Sequence, residues 1–143
     1  MSKRSTVQRA ASVCYCTNLR RASNSVTAIY DRYLAPINLS VTQYTLLVNV
    51  SRLETCSISD LAVYMGLERT TLVRTLKPLF EMGYIVDLAD TGERNRRVQL
   101  TADGARIMAQ GKQLWATAQS AMEQKLGSET MAQLLAILSA LAE

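Results

Sequence analysis

The sequence predicts a mainly α-helical protein with one small β-hairpin. Only two prolines and six glycines interrupt the 143 residues, so long helices can form wherever the apolar pattern allows them. Over most of the chain, apolar residues recur every three or four positions, which is the period of a helix with one buried face. Between residues 84 and 100 the period changes to two, which is typical of short strands. We therefore expect helices on both sides of a central hairpin.

Composition restricts the classes of function. The chain contains 16 Lys and Arg, 12 Asp and Glu, and no His. The absence of His excludes Ser-His-Asp and Cys-His catalysis and removes the commonest zinc ligand. No nucleophile–base pair, phosphate-binding loop or ligand cluster is visible, so we expect no enzyme activity, no metal site and no cofactor. With 48% hydrophobic residues the chain can build one folded domain, and its net charge of +4 permits a polyanionic partner.

The chain shows no targeting or membrane signal. Its first 20 residues are basic and polar, and the longest apolar stretch, Leu134–Ala142, is far shorter than the roughly 20 residues that a membrane span needs. The three cysteines are an odd number, which argues against a disulfide framework. We expect a cytoplasmic protein with reduced thiols and no membrane contact.

The first two helices have clear boundaries. The first begins near Val13, and Pro36 ends it because proline cannot continue a helix. The second begins at a capping box formed by Ser40 and Gln43 and extends to about Glu54. The predicted buried face of the first helix consists of Cys16, Leu19, Ala22, Val26, Ile29, Tyr33 and Leu34.

A helix-turn-helix follows. A short helix begins near Ser59 and stops at Gly66, where glycine allows a tight turn, and the small Ala62 lets a second helix approach. That second helix extends from about Arg69 to Met82 and ends at Gly83. Its predicted inner face consists of Leu72, Leu76 and Leu79, and its predicted outer face consists of Arg69, Thr70, Thr71, Arg74 and Lys77. Hydroxyls and cations are the groups that meet base edges and phosphates in a DNA major groove.

A basic hairpin comes directly after the helix pair. Its tip contains Arg94, Arg96 and Arg97 without a matching cluster of acids. Such a tip is either an ordinary solvated turn or a DNA-binding wing, and its place after a helix-turn-helix favours the wing. The sequence thus predicts a winged helix-turn-helix DNA-binding lobe over residues 40–101 of a single domain.

Two helices close the chain. Thr101 can cap a helix that continues to Gly127-Ser128, and a last helix extends roughly from Glu129 to Ala142. The first and last helices have apolar faces too broad for one small lobe to cover, so we expect a helical dimerisation region over residues 10–36 and 102–143. The alternative is a helical layer that folds back on its own chain.

Five segments occur in a characteristic order and spacing. They are Ser59–Ala62 leading to Gly66-Leu67, Arg69–Arg74, Leu79–Ile85, Asp90–Arg97 and Leu100–Gly104. Together they resemble the MarR family of bacterial transcription regulators, and the resemblance covers nearly the whole chain. It implies a homodimer with intertwined terminal helices and two winged lobes that read a palindromic operator on double-stranded DNA, most often as a repressor.

The hairpin departs from the family's Asp-x-Arg-Asp-x-Arg pattern at Gly92, Glu93 and Asn95. The resemblance therefore leaves open whether Arg94 or Arg96 enters the minor groove. Arg97, at the start of the strand, is expected to contact phosphate.

The resemblance also implies a small aromatic effector that binds between the winged lobe and the dimer helices. Tyr44, Arg52 and Trp115 are the candidate lining residues, with ordinary core packing as the alternative.

The cysteines suggest another form of regulation. One branch of the family senses organic hydroperoxides through a cysteine near the start of the first helix, so a thiol-based redox-sensing repressor that uses Cys14 or Cys16 is an alternative. If both lie on a helix, their side chains point about 200 degrees apart and do not easily bond to each other. Cys56 is expected in a loop. A winged-helix adaptor that binds protein instead of DNA is a further alternative.

Overall fold

The computed structural model of the chain describes residues 12–88 and 96–142. Within these ranges it forms six α-helices, one 3-10 helix and three short strands. In chain order these are α1 (Tyr15–Leu34), the 3-10 helix (Ala35–Ile37), α2 (Val41–Arg52), β1 (Cys56–Ser57), α3 (Ile58–Met65), α4 (Arg69–Glu81), β2 (Ile85–Asp87), β3 (Arg97–Leu100), α5 (Ala102–Leu126) and α6 (Ser128–Leu141). The predicted mainly helical fold with a small β element is confirmed.

The start of α2 follows the predicted capping box. The Ser40 hydroxyl accepts a hydrogen bond from the Gln43 backbone N–H at 3.1 Å, and the Gln43 side chain accepts one from the Ser40 N–H at 2.9 Å. The Asp31 carboxylate of α1 accepts a further hydrogen bond from the Val41 N–H at 2.8 Å. These bonds satisfy donors that a helix start leaves without intrahelical partners, and they link α2 to α1.

Helices α3 and α4 form the predicted helix-turn-helix. Gly66 has a left-handed backbone (φ 64°), and the Leu67 N–H donates to the Ala62 carbonyl at 3.0 Å, which closes the turn. Leu72, Leu76 and Leu79 on the inner face of α4 are completely buried. Helix α4 therefore packs by one side onto the core and presents the other side to solvent.

The sheet contains a strand that the sequence analysis placed in a loop. Cys56 lies in β1, which pairs antiparallel with β3, so the strand order is β1-β3-β2. Cys56 is opposite Val98 and is only 4% exposed. A two-residue strand has no periodicity to detect, and its pairing joins residues about 40 positions apart, which explains the wrong expectation.

The core lies within the winged lobe. Its buried members come from α2, α3, α4, the sheet and the segment that precedes α2. The cluster consists of Leu39, Leu46, Leu47, Val50, Cys56, Ile58, Leu61, Ala62, Leu72, Leu76, Leu79, Ile85 and Val98. By contrast, α1 buries only Leu34 and α6 buries no residue within this chain.

Helix α5 is joined to the lobe at its first turn. The Thr101 hydroxyl accepts a hydrogen bond from the Gly104 N–H at 3.0 Å and donates one to the Gly83 carbonyl at 2.6 Å. Gly104 lies directly against the Tyr84 carbonyl, where a Cβ atom would collide with the carbonyl oxygen. The start of α5 is thereby held against the turn between α4 and β2.

No helix in the two described ranges is both long enough and apolar enough to cross a membrane.

Candidate nucleic-acid interface and ligand cavity

The outer face of α4 carries the predicted DNA-contacting residues. Arg69, Thr70, Thr71, Arg74 and Lys77 are all exposed. The Arg69 guanidinium donates to the Ser59 hydroxyl of α3 at 3.4 Å. The structure therefore brings the five residues together on one exposed, cationic helix face.

Two of the three hairpin arginines lie among the described residues, at the start of β3. Arg96 directly precedes β3 and Arg97 is the first residue of β3, and both are exposed. The Arg96 Nε atom lies 3.7 Å from a carboxylate oxygen of Asp87 on β2. Arg94 and the departures from the family pattern at residues 92, 93 and 95 lie outside the described residues. Asp87 was not among the predicted site residues, because cross-strand proximity depends on the register of the hairpin.

The three candidate effector residues line one cavity between α2 and α5. The cavity has a volume of about 560 Å³, and Tyr44, Arg52 and Trp115 all contribute to its wall. The sequence analysis missed Lys112, which adds a second cation to the same wall. Burial raises the pKa of the Tyr44 phenol, which further favours the neutral form that can donate a hydrogen bond.

Gly111 makes the position of Tyr44 possible. A Cβ atom at residue 111 would lie 2.7 Å from Cδ2 of the Tyr44 ring and 3.2 Å from Cδ1 of Ile37. Only glycine lets the ring approach α5 this closely without displacement. The sequence pattern marked Gly111 as one more core position of the helix and contained no signal for this contact.

A second, larger groove lies between α1, α5 and α6. It has a volume of about 600 Å³, and most of its lining is apolar, including Leu19, Val26, Leu134 and Leu138. The Tyr30 hydroxyl donates a hydrogen bond to the Gln119 side chain across α1 and α5 in this groove. Much of the apolar face predicted for α1 therefore remains accessible in the single chain.

The cysteines differ in exposure and in acidity. Cys14 and Cys16 are exposed, whereas Cys56 is buried. Hydrogen bonds from Thr17, first from its side chain and then from its backbone, lower the pKa of the Cys14 thiol, and burial followed by the charge of Asp60 raises the pKa of the Cys56 thiol. Cys14 precedes α1 with an extended backbone (ψ 116°), so the angle expected for two helical cysteines does not apply.

An inner leucine face, an outer cationic face and an adjoining antiparallel hairpin define a winged helix-turn-helix protein. Residues 39–97 match the family model that is described as the MarR family. The structure of the transcriptional regulator MosR from M. tuberculosis in complex with DNA is 32% identical to this chain, with a TM-score of 0.77, and the match covers 90% of this chain and 96% of that one. The chain belongs to the MarR family of transcriptional regulators.

Two more distant structures share the fold. The transcriptional repressor CouR bound to a 23-mer DNA duplex is 24% identical with a TM-score of 0.82, and the match covers 91% of this chain and 93% of that one. A cysteine-to-serine mutant of MarR from E. coli, complexed with operator DNA, is 20% identical with a TM-score of 0.81 over 90% of this chain and 93% of that one.

Proposed function

We propose that this chain is a sequence-specific transcriptional repressor that binds a palindromic operator as a homodimer and leaves it when a small aromatic anion binds. The observation that carries the proposal is the exposed face of α4, where hydroxyls and cations lie opposite a completely buried leucine face. The DNA complex of the 32% identical MosR supports it. Since bacterial DNA lies in the cytoplasm, so would this protein.

Within the winged lobe, which consists of residues 40–101, different side chains would contact different parts of the DNA. Thr70, Thr71 and Arg74 would face base edges in the major groove, because a guanidinium can form two hydrogen bonds to guanine and hydroxyls can bond to any base. Arg97 on β3 would contact phosphate. Arg94 and Arg96 are the two candidates from the sequence for the minor groove, and Arg94 lies outside the described residues.

The dimer would be built by residues 10–36 and 102–143. The groove between α1, α5 and α6 has a mostly apolar lining that helices of a second copy could cover, and no residue of α6 is fully buried against its own chain. Burial of such faces is the usual source of stability in an obligate dimer. Two lobes would then present their α4 helices to major grooves about one turn of DNA apart.

The effector would bind in the cavity between α2 and α5. Arg52 and Lys112 supply positive charge, and Tyr44 and Trp115 supply aromatic surface, so an aromatic carboxylate or phenolate fits the lining. Because α2 belongs to the winged lobe and α5 to the dimerisation region, a ligand that fits one arrangement of these helices better would shift the population towards it.

The first test is selection of an operator from random DNA followed by the substitution Arg74→Ala. We expect the loss of about 1 to 3 kcal/mol of binding free energy at the selected operator, with relaxed preference at the contacted base. Lys125→Ala, in the last turn of α5, removes the same charge outside the winged lobe and serves as the control. Equal affinity of the wild type for the operator and for scrambled DNA would contradict the proposal, and no affinity at low salt would favour the protein-binding alternative.

Thiol sensing is a second candidate, favoured by the exposed Cys14 and the lowered pKa of its thiol. A thiolate attacks the terminal oxygen of a hydroperoxide, the O–O bond breaks to give a sulfenic acid, and the leaving alkoxide takes a proton from water to become an alcohol. The fraction of thiolate decreases as the pH falls through the pKa of the thiol. We expect iodoacetamide to modify Cys14 faster than Cys56, with half-maximal rate at lower pH. We also expect a hydroperoxide to release the wild type from DNA but not the Cys14→Ser variant. Release of both proteins alike would exclude this role for Cys14.

A further inference from the structure

A small cavity lies between α4 and the start of β3, apart from the effector cavity. It has a volume of about 280 Å³. Three cationic side chains line it, Arg74 and Lys77 from α4 and Arg96 from the hairpin. The rest of the lining is apolar and consists of Ile58, Val73, Leu76 and Phe80. Three cationic side chains that line one small hollow can place positive charge around a single anion.

The register of the sheet explains why Arg96 belongs to this cavity. Side chains alternate between the two faces of a strand, so Arg96 lies on the same face as the completely buried Val98, which is the face towards the helices. Arg97 points to the opposite face. The Ile58 N–H donates to the Arg96 carbonyl at 3.0 Å, which holds the backbone of this residue at the start of α3.

Asp87 orients the Arg96 side chain. Asp87 is paired with Val98 across the two strands, so Asp87 and Arg96 are diagonal neighbours on one face. The Asp87 carboxylate lies beside the Nε atom of Arg96, at 3.7 Å. The guanidinium carries two further nitrogen groups beyond Nε, and these can donate to the oxygens of a bound anion.

We propose that this cavity holds a single phosphate of the DNA backbone, the one that separates the major groove under α4 from the minor groove beside the hairpin. This inference rests on the proposed function. When a helix enters one groove and the adjacent hairpin approaches the next, the backbone between the grooves passes through the gap between helix and hairpin. The apolar lining lets the long stems of Lys77 and Arg96 pack while their charged ends converge on the phosphate.

The assignment changes the role expected of Arg96. A phosphate contact positions the protein and does not read sequence. Arg96 therefore contributes equally to operator and to random DNA, in contrast to the minor-groove role that the sequence left open for it. Arg74 also lines the cavity, but the proposed function assigns its guanidinium to a base edge, so Lys77 and Arg96 are left to hold the phosphate and the test uses these two residues.

The experiment measures affinity against salt concentration for a random-sequence duplex and for the selected operator. The proteins are the wild type, Lys77→Ala, Arg96→Ala, the double variant and the charge-matched control Lys125→Ala. Each neutralised phosphate contributes about 0.9 to the slope of log affinity against log salt. Because both cations share one phosphate, we expect the double variant to lose about 0.9 of the slope, with about the same fold-loss of affinity on both DNAs. The slope of the control stays unchanged.

Three outcomes would overturn the assignment. A loss of about 1.8 in the slope of the double variant would mean two separate phosphates. An unchanged slope would mean that the cavity does not contact DNA. A much larger loss on the operator than on random DNA would mean that Arg96 reads sequence. All three outcomes can be observed only if the wild type binds DNA. If the proposed function is wrong, the wild type itself does not bind, so the two kinds of failure can be distinguished. Thermal unfolding and light scattering verify that every variant is folded and assembled like the wild type.

Discussion

Two glycines of α5 decide how closely other parts of the chain approach this helix. Gly104 lies against the Tyr84 carbonyl, and Gly111 lies against the ring of Tyr44. In both places the missing side chain makes room for an atom from an element distant in sequence. The wall of the cavity between α2 and α5 therefore depends on Gly111, a residue that has no side chain of its own.

Substitution of Gly111 tests this contact. Alanine normally stabilises a helix interior relative to glycine by about 0.5 to 1 kcal/mol. Here its Cβ would lie 2.7 Å from the Tyr44 ring, and we expect Gly111→Ala to lower the free energy of unfolding by about 1 to 3 kcal/mol, which is the usual cost of overpacking. Urea unfolding measures the change, and Ser120→Ala on the exposed side of α5 is the control. An unchanged or higher stability of Gly111→Ala would show that the ring moves aside freely.

At the scale of elements, one side chain links the helix-turn-helix to the long helix α5. Thr101 caps α5 through the Gly104 N–H, and its hydroxyl also donates to the Gly83 carbonyl in the turn after α4. Gly83 has a left-handed backbone (φ 76°), so the turn has a defined shape that Thr101 can hold. The orientation of the winged lobe relative to α5 depends in part on this hydroxyl.

Thr101→Ala removes both hydrogen bonds. Loss of a helix N-cap costs about 0.5 to 2 kcal/mol, and we expect a decrease in unfolding free energy near the upper end of this range because the Gly83 carbonyl also loses its donor. The control is Thr117→Ala, because among the described residues the Thr117 hydroxyl donates to the Gln113 carbonyl within α5. Denaturant unfolding of both variants gives the comparison. Equal losses in the two variants would mean that the Thr101 hydroxyl has no special role.

At the scale of the whole molecule, burial is distributed unevenly. The winged lobe contains the core, whereas α6 presents Leu135, Ile137, Leu138 and Leu141 to solvent. Leu135 is 61% exposed in the single chain. Exposed aliphatic side chains spaced along one helix form a continuous apolar face, and exposed faces of this kind usually mark an interface. We therefore place the source of the proposed dimer in α1, α5 and α6.

Removal of α6 tests the interface. We expect a chain truncated before Ser128 to form monomers or aggregates in light scattering, and to lose operator affinity because the two half-sites are no longer linked. The full-length variant Leu135→Glu/Leu138→Glu tests the same face without exposing α1, and Gln133→Glu on the same helix is its control. A truncated chain that stays a soluble dimer would refute the assignment.

Features that depend on neighbours along the chain could be predicted from the sequence. The capping box at Ser40, the left-handed turn at Gly66 and the division of α4 into inner and outer faces all follow from spacings of three or four residues. These are local preferences of the backbone and of a helix with one buried side, so they can be recognised before any tertiary contact is known.

Contacts between residues distant in the chain could not be predicted and are visible only in the folded structure. It paired Cys56 with Val98 in a two-residue strand, it placed Arg96 beside Asp87, and it put Arg96 in the lining of the cavity between α4 and β3. It also put Lys112 among the candidate effector residues. Each of these contacts depends on the register of a sheet or on the packing of one helix against another. No short window of sequence encodes them, because their energy comes from burial shared by residues far apart in the chain.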